Sequence, residues 1–202
     1  MDSYAVIGNP IRHSRSPFIH QAFAAQTGQA LTYTAILGTA EPLATQVTAF
    51  RTQGGRGMNV TLPYKGEAFH LAQRLGHRAE QAGAVNTLIF HQDGTTEGDN
   101  TDGDGLCRDL ARLHIPLATQ RILILGAGGA TAGILAPLLE AGPQRLHIVN
   151  RTVAKAVALA ARFQALGPVT ASGYSDLAGQ QFDLILHATA AGLDGACPEL
   201  PD

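Results

Sequence analysis

Three polar clusters carry side chains that could bind a small, hydroxyl-rich anion. They are His13–Ser16, Asn59–Lys65, and the pair Asn86–Thr87 with Asn100–Asp102. Ser14 and Ser16 precede an expected helix, and two neighbouring hydroxyls can donate to one anion; helix capping by Ser16 alone is the alternative. The amides of Asn59 and Asn86 suit a hydroxyl-bearing ligand, because each offers two donors and one acceptor.

Lys65 is the side chain best suited to moving a proton. The chain has only two lysines, Lys65 and Lys155, among fourteen lysines and arginines. A desolvated lysine can lose its proton near neutral pH, whereas an arginine cannot. Asp102 could pair with Lys65 and shape its protonation. A solvated surface lysine is the alternative for Lys65, and Asx-turn chemistry is the alternative for the loop at Asp99 and Asn100.

A glycine-rich segment follows the apolar run Ile122–Leu125 and opens a helix. It consists of Gly126, Ala127, Gly128, Gly129 and Ala130. Glycines at this point let the backbone approach a pyrophosphate, whose charge is favoured at a helix N-terminus. The match to the dinucleotide-binding fingerprint is imperfect, since Thr131 occupies its last position, and an ordinary tight turn is the alternative.

The end of the next expected strand favours NADP over NAD. An NAD site would place an Asp or Glu there to bind the ribose hydroxyls. This chain instead has Asn150, Arg151 and Thr152, with Lys155 a turn later. Arg151 and Lys155 would attract a 2'-phosphate that a carboxylate would repel. A solvated loop charge is the alternative for Arg151.

Strand-like and helix-like segments alternate along the chain, which predicts an α/β fold of two domains. Strands are expected near 4–7, 31–37, 57–61, 84–91, 122–125, 146–149, 169–170 and 182–186. Helices are expected near 16–28, 41–52, 103–114 and 152–166, with two more from Pro63 and after the glycine loop. Ser16 is the expected N-cap of the first helix, with Pro17 as its first helical residue.

The pattern of the sequence changes near residue 102, and this change predicts the domain boundary there. Residues 1–101 are expected to form an α/β substrate-binding and catalytic domain. Residues 102–202 are expected to form a Rossmann-type, doubly wound parallel sheet that binds NADP, because the order there is βαβαβ.

Composition argues against several other classes of protein. The 202 residues are 45% hydrophobic and 15% charged, which is unlike a disordered chain. The net charge of -2 argues against nucleic acid as a principal partner. Cys107 and Cys197 are too few and too far apart for a disulfide framework or a metal site, and the histidines lack metal-ligand spacing. Neither a signal peptide nor a membrane span is predicted, so we expect a cytoplasmic protein.

Six motifs, in order, resemble those of the shikimate dehydrogenase family. They are Val6–Pro17 followed by His20, Gly57–Lys65, Ala84–Thr87, Asn100–Gly103, Gly126–Ala130 and Asn150–Thr152. The resemblance extends from about Tyr4 to Gly192. It implies an NADP-dependent oxidoreductase that interconverts 3-dehydroshikimate and shikimate, a step towards chorismate and the aromatic amino acids. A relative that binds ligand without turnover, and an enzyme that uses quinate or NAD, are the alternatives.

The resemblance also implies a role for each polar residue. Ser14 and Ser16 would hold the substrate carboxylate, and Lys65 with Asp102 would form the catalytic pair. The ring hydroxyls would be bound by Asn59, Thr61, Asn86 and Asp102. The implied partners are small molecules, with neither nucleic acid nor membrane, and the chain is expected to be a monomer or a homodimer.

Three departures from the family pattern are visible. Ala132 stands where many relatives carry an arginine near the cofactor phosphates, which predicts weaker NADP binding. His187 and Ala190 replace residues of a family motif near the end of the chain. Family members normally continue beyond the position of Asp202, so the NADP domain is expected to be incomplete at its C-terminal end.

Overall fold

The computed structural model describes residues 1–189 and 200–201. The chain divides into two compact units, Met1–Thr101 and Asp102–Asp202. Each unit is a sheet flanked by helices, so the predicted α/β class is confirmed. None of the described helices is both long and apolar enough to cross a membrane.

The first unit is built on a mixed six-stranded sheet. Its elements are β1 (Asp2–Gly8), α1 (Ser16–Thr27), β2 (Leu31–Leu37), α2 (Leu43–Thr52), β3 (Gly55–Val60), α3 (Lys65–Leu71), β4 (Arg74–Leu75), α4 (His77–Ala82), β5 (Thr87–Phe90) and β6 (Thr96–Asp99). The strand order is β2-β1-β3-β5-β6-β4, with β1 parallel to both β2 and β3 and with β5 antiparallel to β3 and β6. The carboxyl ends of β1, β2 and β3 therefore meet at one edge of the sheet.

Alternation along the parallel strands gives the sheet of the first unit two buried faces. Ile7 and Val60 belong to the larger core, whereas Val6 and Tyr33 pack on the opposite face. Asn59 precedes Val60 and is paired with Val6 in register. Because successive side chains of a strand point to opposite faces, Asn59 shares the face of Val6 and Tyr33.

The second unit carries a parallel four-stranded sheet. Its elements are α5 (Asp102–Arg112), β7 (Arg121–Leu125), α6 (Gly129–Glu140), β8 (Arg145–Val149), α7 (Val153–Phe163), β9 (Val169–Ser172), a 3₁₀ turn (Tyr174–Leu177) and β10 (Leu184–His187). The strand order is β10-β7-β8-β9, so the chain returns after β9 to the other side of β7. That reversal between β7 and β10 is the topological switch point at which Rossmann-type sheets bind dinucleotides.

The apolar run of β7 is explained by burial on both faces. Ile122 and Ile124 pack in one core of the second unit, while Leu123 and Leu125 pack in the other. His147 of β8 is also buried: its Nδ1 lies 2.7 Å from Thr170 Oγ1 and its Nε2 lies 2.8 Å from Ser172 Oγ. Burial, followed by the nearby charge of Arg145, lowers the pKa of His147 below its ordinary value, although Asp176 opposes the shift.

Two local predictions are wrong. Ser16 is the first residue of α1 and Arg15 occupies the N-cap, which makes no side-chain capping bond. The helix therefore begins one residue earlier than predicted. The turn before it is closed by the Ser14 N–H, which donates to the Ile11 carbonyl, and by Ser14 Oγ, which accepts from the Ser16 N–H. Pro63 does not open the helix that carries Lys65: it follows a cis peptide bond, and the helix begins at Lys65 itself.

Candidate functional site

Ser14 and Ser16 lie together at the start of α1. The Ser16 backbone N–H donates to Ser14 Oγ at 3.3 Å, so the two side chains share one turn. Arg12, His13 and Arg15 are exposed around them. A turn that presents two hydroxyls among basic side chains is suited to a carboxylate.

Asn59 and Thr61 lie where β3 ends, next to the end of β1. The Thr61 N–H donates to the Ile7 carbonyl at 2.9 Å, which extends the pairing of the two strands beyond β3. Asn59 is half-buried, and its Nδ2 donates to Thr87 Oγ1 at 3.0 Å and to the Asn86 carbonyl at 3.3 Å. Both hydrogens of the amide are therefore used within the protein, while Oδ1 keeps acceptor capacity.

Tyr33 joins the serine turn to Asn59. Its hydroxyl donates to Asn59 Oδ1 at 2.6 Å, and the Ser16 side chain hydrogen bonds to the same phenol. The His20 ring stacks on the Tyr33 ring, with centroids 4.1 Å apart and planes 2° from parallel. Burial raises the pKa of Tyr33 to about 12, against the opposing hydrogen bond from Ser16, so the phenol keeps its proton. Burial also lowers the pKa of His20.

Asn86 is held by its neighbours at the start of β5. Its Oδ1 accepts from the Thr87 hydroxyl at 2.8 Å and from the Thr101 N–H at 3.1 Å, while its Nδ2 donates to Thr101 Oγ1 at 3.1 Å. We call the connected side chains of Ser16, Tyr33, Asn59, Thr87, Asn86 and Thr101 the polar chain. It unites three of the residues predicted to bind substrate.

The segment that precedes Asp102 is anchored by an ion pair. Asp99 binds the Arg78 guanidinium and accepts the Asn100 N–H at 2.7 Å. The hydrogen bond from Arg78 holds the pKa of Asp99 below its usual range. The buried Asn100 amide donates to the Ala84 carbonyl at 2.9 Å. Side-chain bonds thus fix the loop, although Asp99 accepts from the next residue and not, as in an Asx-turn, from the residue two positions on.

Lys65 and Asp102 each begin a helix. Lys65 is half-buried at the first position of α3, and its carbonyl accepts the Val85 N–H at 2.9 Å. Asp102 is half-buried at the first position of α5 and directly follows Thr101. Both side chains interact with other groups. Their catalytic pairing stays a proposal, since they belong to different units.

The glycine loop between β7 and α6 has the backbone features that a dinucleotide requires. Gly126 has φ +108°, and a Cβ added there would lie 3.0 Å from the Ala188 carbonyl oxygen. Gly128 is the N-cap of α6, where an added Cβ would meet nothing within 4 Å and would project into open space. Thr131 is fully buried and its hydroxyl donates to the Gly126 carbonyl at 2.8 Å. Open space in front of a helix N-terminus fits a pyrophosphate.

Gly129 and Ala130 form the first turn of α6, and Ala127 precedes its cap. The first N–H groups of an α-helix have no partner within the helix, so this turn offers donors to an anion. Thr131, which occupies the last position of the fingerprint, is buried beneath the loop and hydrogen bonds to the Gly126 carbonyl from inside.

The end of β8 presents cations and no carboxylate. Asn150 Nδ2 donates to the Thr152 carbonyl at 2.9 Å, which shapes the turn into α7. Thr152 is the N-cap of α7, and its carbonyl accepts the Lys155 N–H at 3.1 Å. Arg151 and Lys155 are exposed on this turn. The residues present therefore fit a 2'-phosphate.

Some residues of the polar chain could not be singled out from sequence. Tyr33 is an ordinary strand residue by type, and only the three-dimensional register brings its hydroxyl to Asn59. Thr101 appeared only as part of a motif. His187 is exposed, with Nε2 2.6 Å from Thr189 Oγ1, whereas Ala190, Gly192 and Cys197 lie outside the described residues.

The reversed parallel sheet with its glycine turn identifies the second unit as a Rossmann-type, dinucleotide-binding domain. Residues 6–88 match the family described as the shikimate dehydrogenase substrate binding domain, and residues 109–193 match shikimate / quinate 5-dehydrogenase. This chain belongs to the shikimate dehydrogenase family.

Individual relatives cover the whole chain. The shikimate dehydrogenase (NADP(+)) of Nitrosomonas europaea is 52% identical over 202 residues, which are 100% of this chain and 73% of that protein. The enzyme of the same name from Methylococcus capsulatus is 56% identical over 99% of this chain and 72% of its own length. The crystal structure of shikimate 5-dehydrogenase from Thermus thermophilus, in complex with NADP(H) and shikimate, superposes with a TM-score of 0.86 at 34% identity, covering 100% of this chain and 74% of that one.

Proposed function

We propose that this chain interconverts 3-dehydroshikimate and shikimate with NADP, on the route to chorismate and the aromatic amino acids. The polar chain of the first unit carries the proposal: it joins a residue suited to a carboxylate, Ser16, to residues suited to ring hydroxyls, Asn59 and Asn86. The named relatives support NADP and shikimate, in preference to a ligand-binding protein without turnover.

The residues of the first unit bind and orient the substrate. Ser14 and Ser16 hold the carboxylate with their hydroxyls, among the basic side chains of the same turn. Asn59 offers the remaining acceptor capacity of its Oδ1 to a ring hydroxyl, because both its amide hydrogens are engaged. Thr61 and Asn86 complete the contacts to the ring hydroxyls, together with Asp102.

Lys65 handles the proton of the reacting hydroxyl. In the oxidation, Lys65 takes the hydroxyl proton as the carbonyl forms; in the reduction, it returns that proton and stabilises the developing alkoxide. Asp102 accepts a hydrogen bond from the Lys65 amine and so orients it, and Asp102 also accepts from a neighbouring ring hydroxyl. NADP, when bound, supplies the acceptor or donor of the hydride.

The second unit binds the cofactor. Gly126, Ala127, Gly128, Gly129 and Ala130 leave room for the pyrophosphate at the N-terminus of α6. The 2'-phosphate is bound by the side chains around the turn into α7, which are Asn150, Arg151, Thr152 and Lys155.

The direct test is NADPH formation by the purified chain with excess shikimate and NADP. We expect turnover with this pair, and much less with NAD in place of NADP or with quinate in place of shikimate. Turnover that requires NAD would contradict the cofactor assignment, and turnover that requires quinate would contradict the substrate. Absence of turnover with every combination would contradict the proposed activity of this chain.

We also propose a cytoplasmic enzyme that is a monomer or a homodimer. Cys107 is a free cysteine whose pKa is raised by burial, which suits a reducing compartment. Sedimentation equilibrium checks the oligomeric state, and a tetramer or larger assembly would contradict it.

A further inference from the structure

We propose that Tyr33 is a positioning residue that couples the carboxylate-binding end of the substrate site to its hydroxyl-binding end. The inference rests on the proposed function, since it assigns Tyr33 a role in shikimate recognition. Its hydroxyl stands between Ser16 and Asn59, the residues proposed to contact opposite ends of the ligand.

The hydrogen bonds around Tyr33 have one direction. The Ser16 hydroxyl bonds to the phenol oxygen, so the phenol O–H is left to donate to Asn59 Oδ1. The Asn59 amide then donates to Thr87, and the Thr87 hydroxyl donates to Asn86 Oδ1. Each donor therefore points away from the serine turn. The Asn86 carbonyl, which can only accept, fixes which way the Asn59 amide faces, and the phenol O–H holds Oδ1 in place.

This orientation decides what Asn59 can recognise. With Oδ1 facing Tyr33 and Nδ2 facing Thr87, the amide presents an acceptor and selects a ligand group that donates. Without the phenol hydroxyl, the amide keeps this orientation through the Asn86 carbonyl, but Oδ1 loses the bond that holds it in place. The site then binds a ligand hydroxyl less firmly at this point.

Tyr33 is also held rigidly, as a positioning residue must be. Its side chain is 5% exposed, packs with Val6 and Ile11, and stacks on the His20 ring at 4.1 Å. A buried hydroxyl at a fixed place transmits a change at Ser16 to Asn59. When the Ser16 hydroxyl turns to a bound carboxylate, the phenol oxygen loses that donor. Its own O–H stays directed at Asn59 but donates less strongly, because hydrogen bonds in a chain polarise one another.

The experiment compares two ligands for Tyr33→Phe, which keeps the ring and removes only the hydroxyl. Shikimate carries a carboxylate and ring hydroxyls, whereas cyclohexenecarboxylate carries the carboxylate alone. We expect the Kd for shikimate to rise about five- to tenfold, the worth of one net hydrogen bond. The Kd for cyclohexenecarboxylate should stay the same or fall, because Ser16 is released to its carboxylate.

Tyr4→Phe is the matched control. Tyr4 is paired with Tyr33 in register on the adjacent strand and belongs to the same cluster, so the substitution makes the same chemical change nearby. We expect both dissociation constants of Tyr4→Phe to match those of the unaltered chain. Thermal unfolding of each variant reports any general loss of stability, which would weaken the binding of both ligands alike.

Each outcome has a distinct meaning. If Tyr33→Phe binds shikimate as tightly as the unaltered chain, or binds both ligands more weakly by the same factor, the positioning role is overturned while the proposed function stays intact. Failure of the unaltered chain to bind shikimate would overturn the proposed function and the inference with it. If Tyr33→Phe does not fold, Thr87→Val breaks the polar chain from the other side of Asn59; retained preference for shikimate in that variant would overturn the coupling.

Discussion

Arg151 should determine how strongly the chain prefers NADP to NAD. It is exposed on the turn after β8, where an NAD-binding sheet would carry a carboxylate. We expect Arg151→Ala to weaken NADPH binding and to leave NADH binding unchanged, because only the first carries a 2'-phosphate.

The expected magnitude follows from the exposure of Arg151. A charge-assisted hydrogen bond contributes about 1.5–3 kcal/mol. Because solvent screens an exposed cation, we take the lower part of that range, about 1.5–2 kcal/mol, which is roughly a 10- to 30-fold rise in Kd. The effect should shrink at high salt, where the screening length falls to about 3 Å.

The assay is titration of NADPH and NADH against the unaltered chain, Arg151→Ala and Arg162→Ala. Arg162→Ala is the control because it removes the same charge from the last turn of α7, the helix that follows Arg151. An eleven-residue helix is about 16 Å long, about twice the screening length at physiological salt. Equal weakening of both cofactors in Arg151→Ala, or an equal effect of Arg162→Ala, would refute the assignment.

Three further substitutions test the second unit. The pKa of His147 is lowered in the folded state, so the unfolded chain binds more protons than the folded chain once the pH falls below the ordinary pKa of histidine. Acid should therefore destabilise the fold. Between about pH 7 and about pH 5, the Tm of His147→Gln should therefore fall less than the Tm of the unaltered chain. An equal fall in both would show that His147 does not titrate as described. Gly126→Ala should cost about 1–3 kcal/mol and lower Tm by several degrees, since φ is +108° and the new Cβ would crowd the Ala188 carbonyl; an unchanged Tm would contradict that strain. Gly128→Ala should lower Tm by at most a few degrees, because its Cβ meets no atom within 4 Å and only the glycine N-cap is lost, but it should weaken NADPH binding more than tenfold by occupying the space proposed for the pyrophosphate; full binding would place the cofactor elsewhere.

Periodicity and turn chemistry predicted the longer elements well. β2 spans the expected residues, and β7, β8 and α5 differ from expectation by one or two residues at either end. These segments have strong patterns, because β7 is buried on both faces and α5 is strongly amphipathic. The elements β4, α4 and β6 could not be predicted from the sequence. These elements are short, and the six-residue α4 buries only Ala79 and Ala82, so no apolar pattern marks them.

The candidate site was predicted unevenly for a physical reason. Asn59 and Asn86 stand out by type and motif, so their sequence positions suggested binding. Tyr33 acts through a hydroxyl that reaches Asn59 only because β1 lies between β2 and β3 and fixes their register. Such a contact depends on strand order, which local patterns do not encode.

The most direct test of the account is the effect of removing the Lys65 amine. For Lys65→Ala, we predict a loss of turnover with shikimate and NADP of about 10²- to 10⁴-fold, with the shikimate Kd changed only a few-fold. Lys155→Ala is the matched control, since Lys155 is the only other lysine; it should weaken NADP binding and keep turnover at saturating NADP. Unchanged turnover in Lys65→Ala would contradict the assignment of Lys65 as the group that moves the proton.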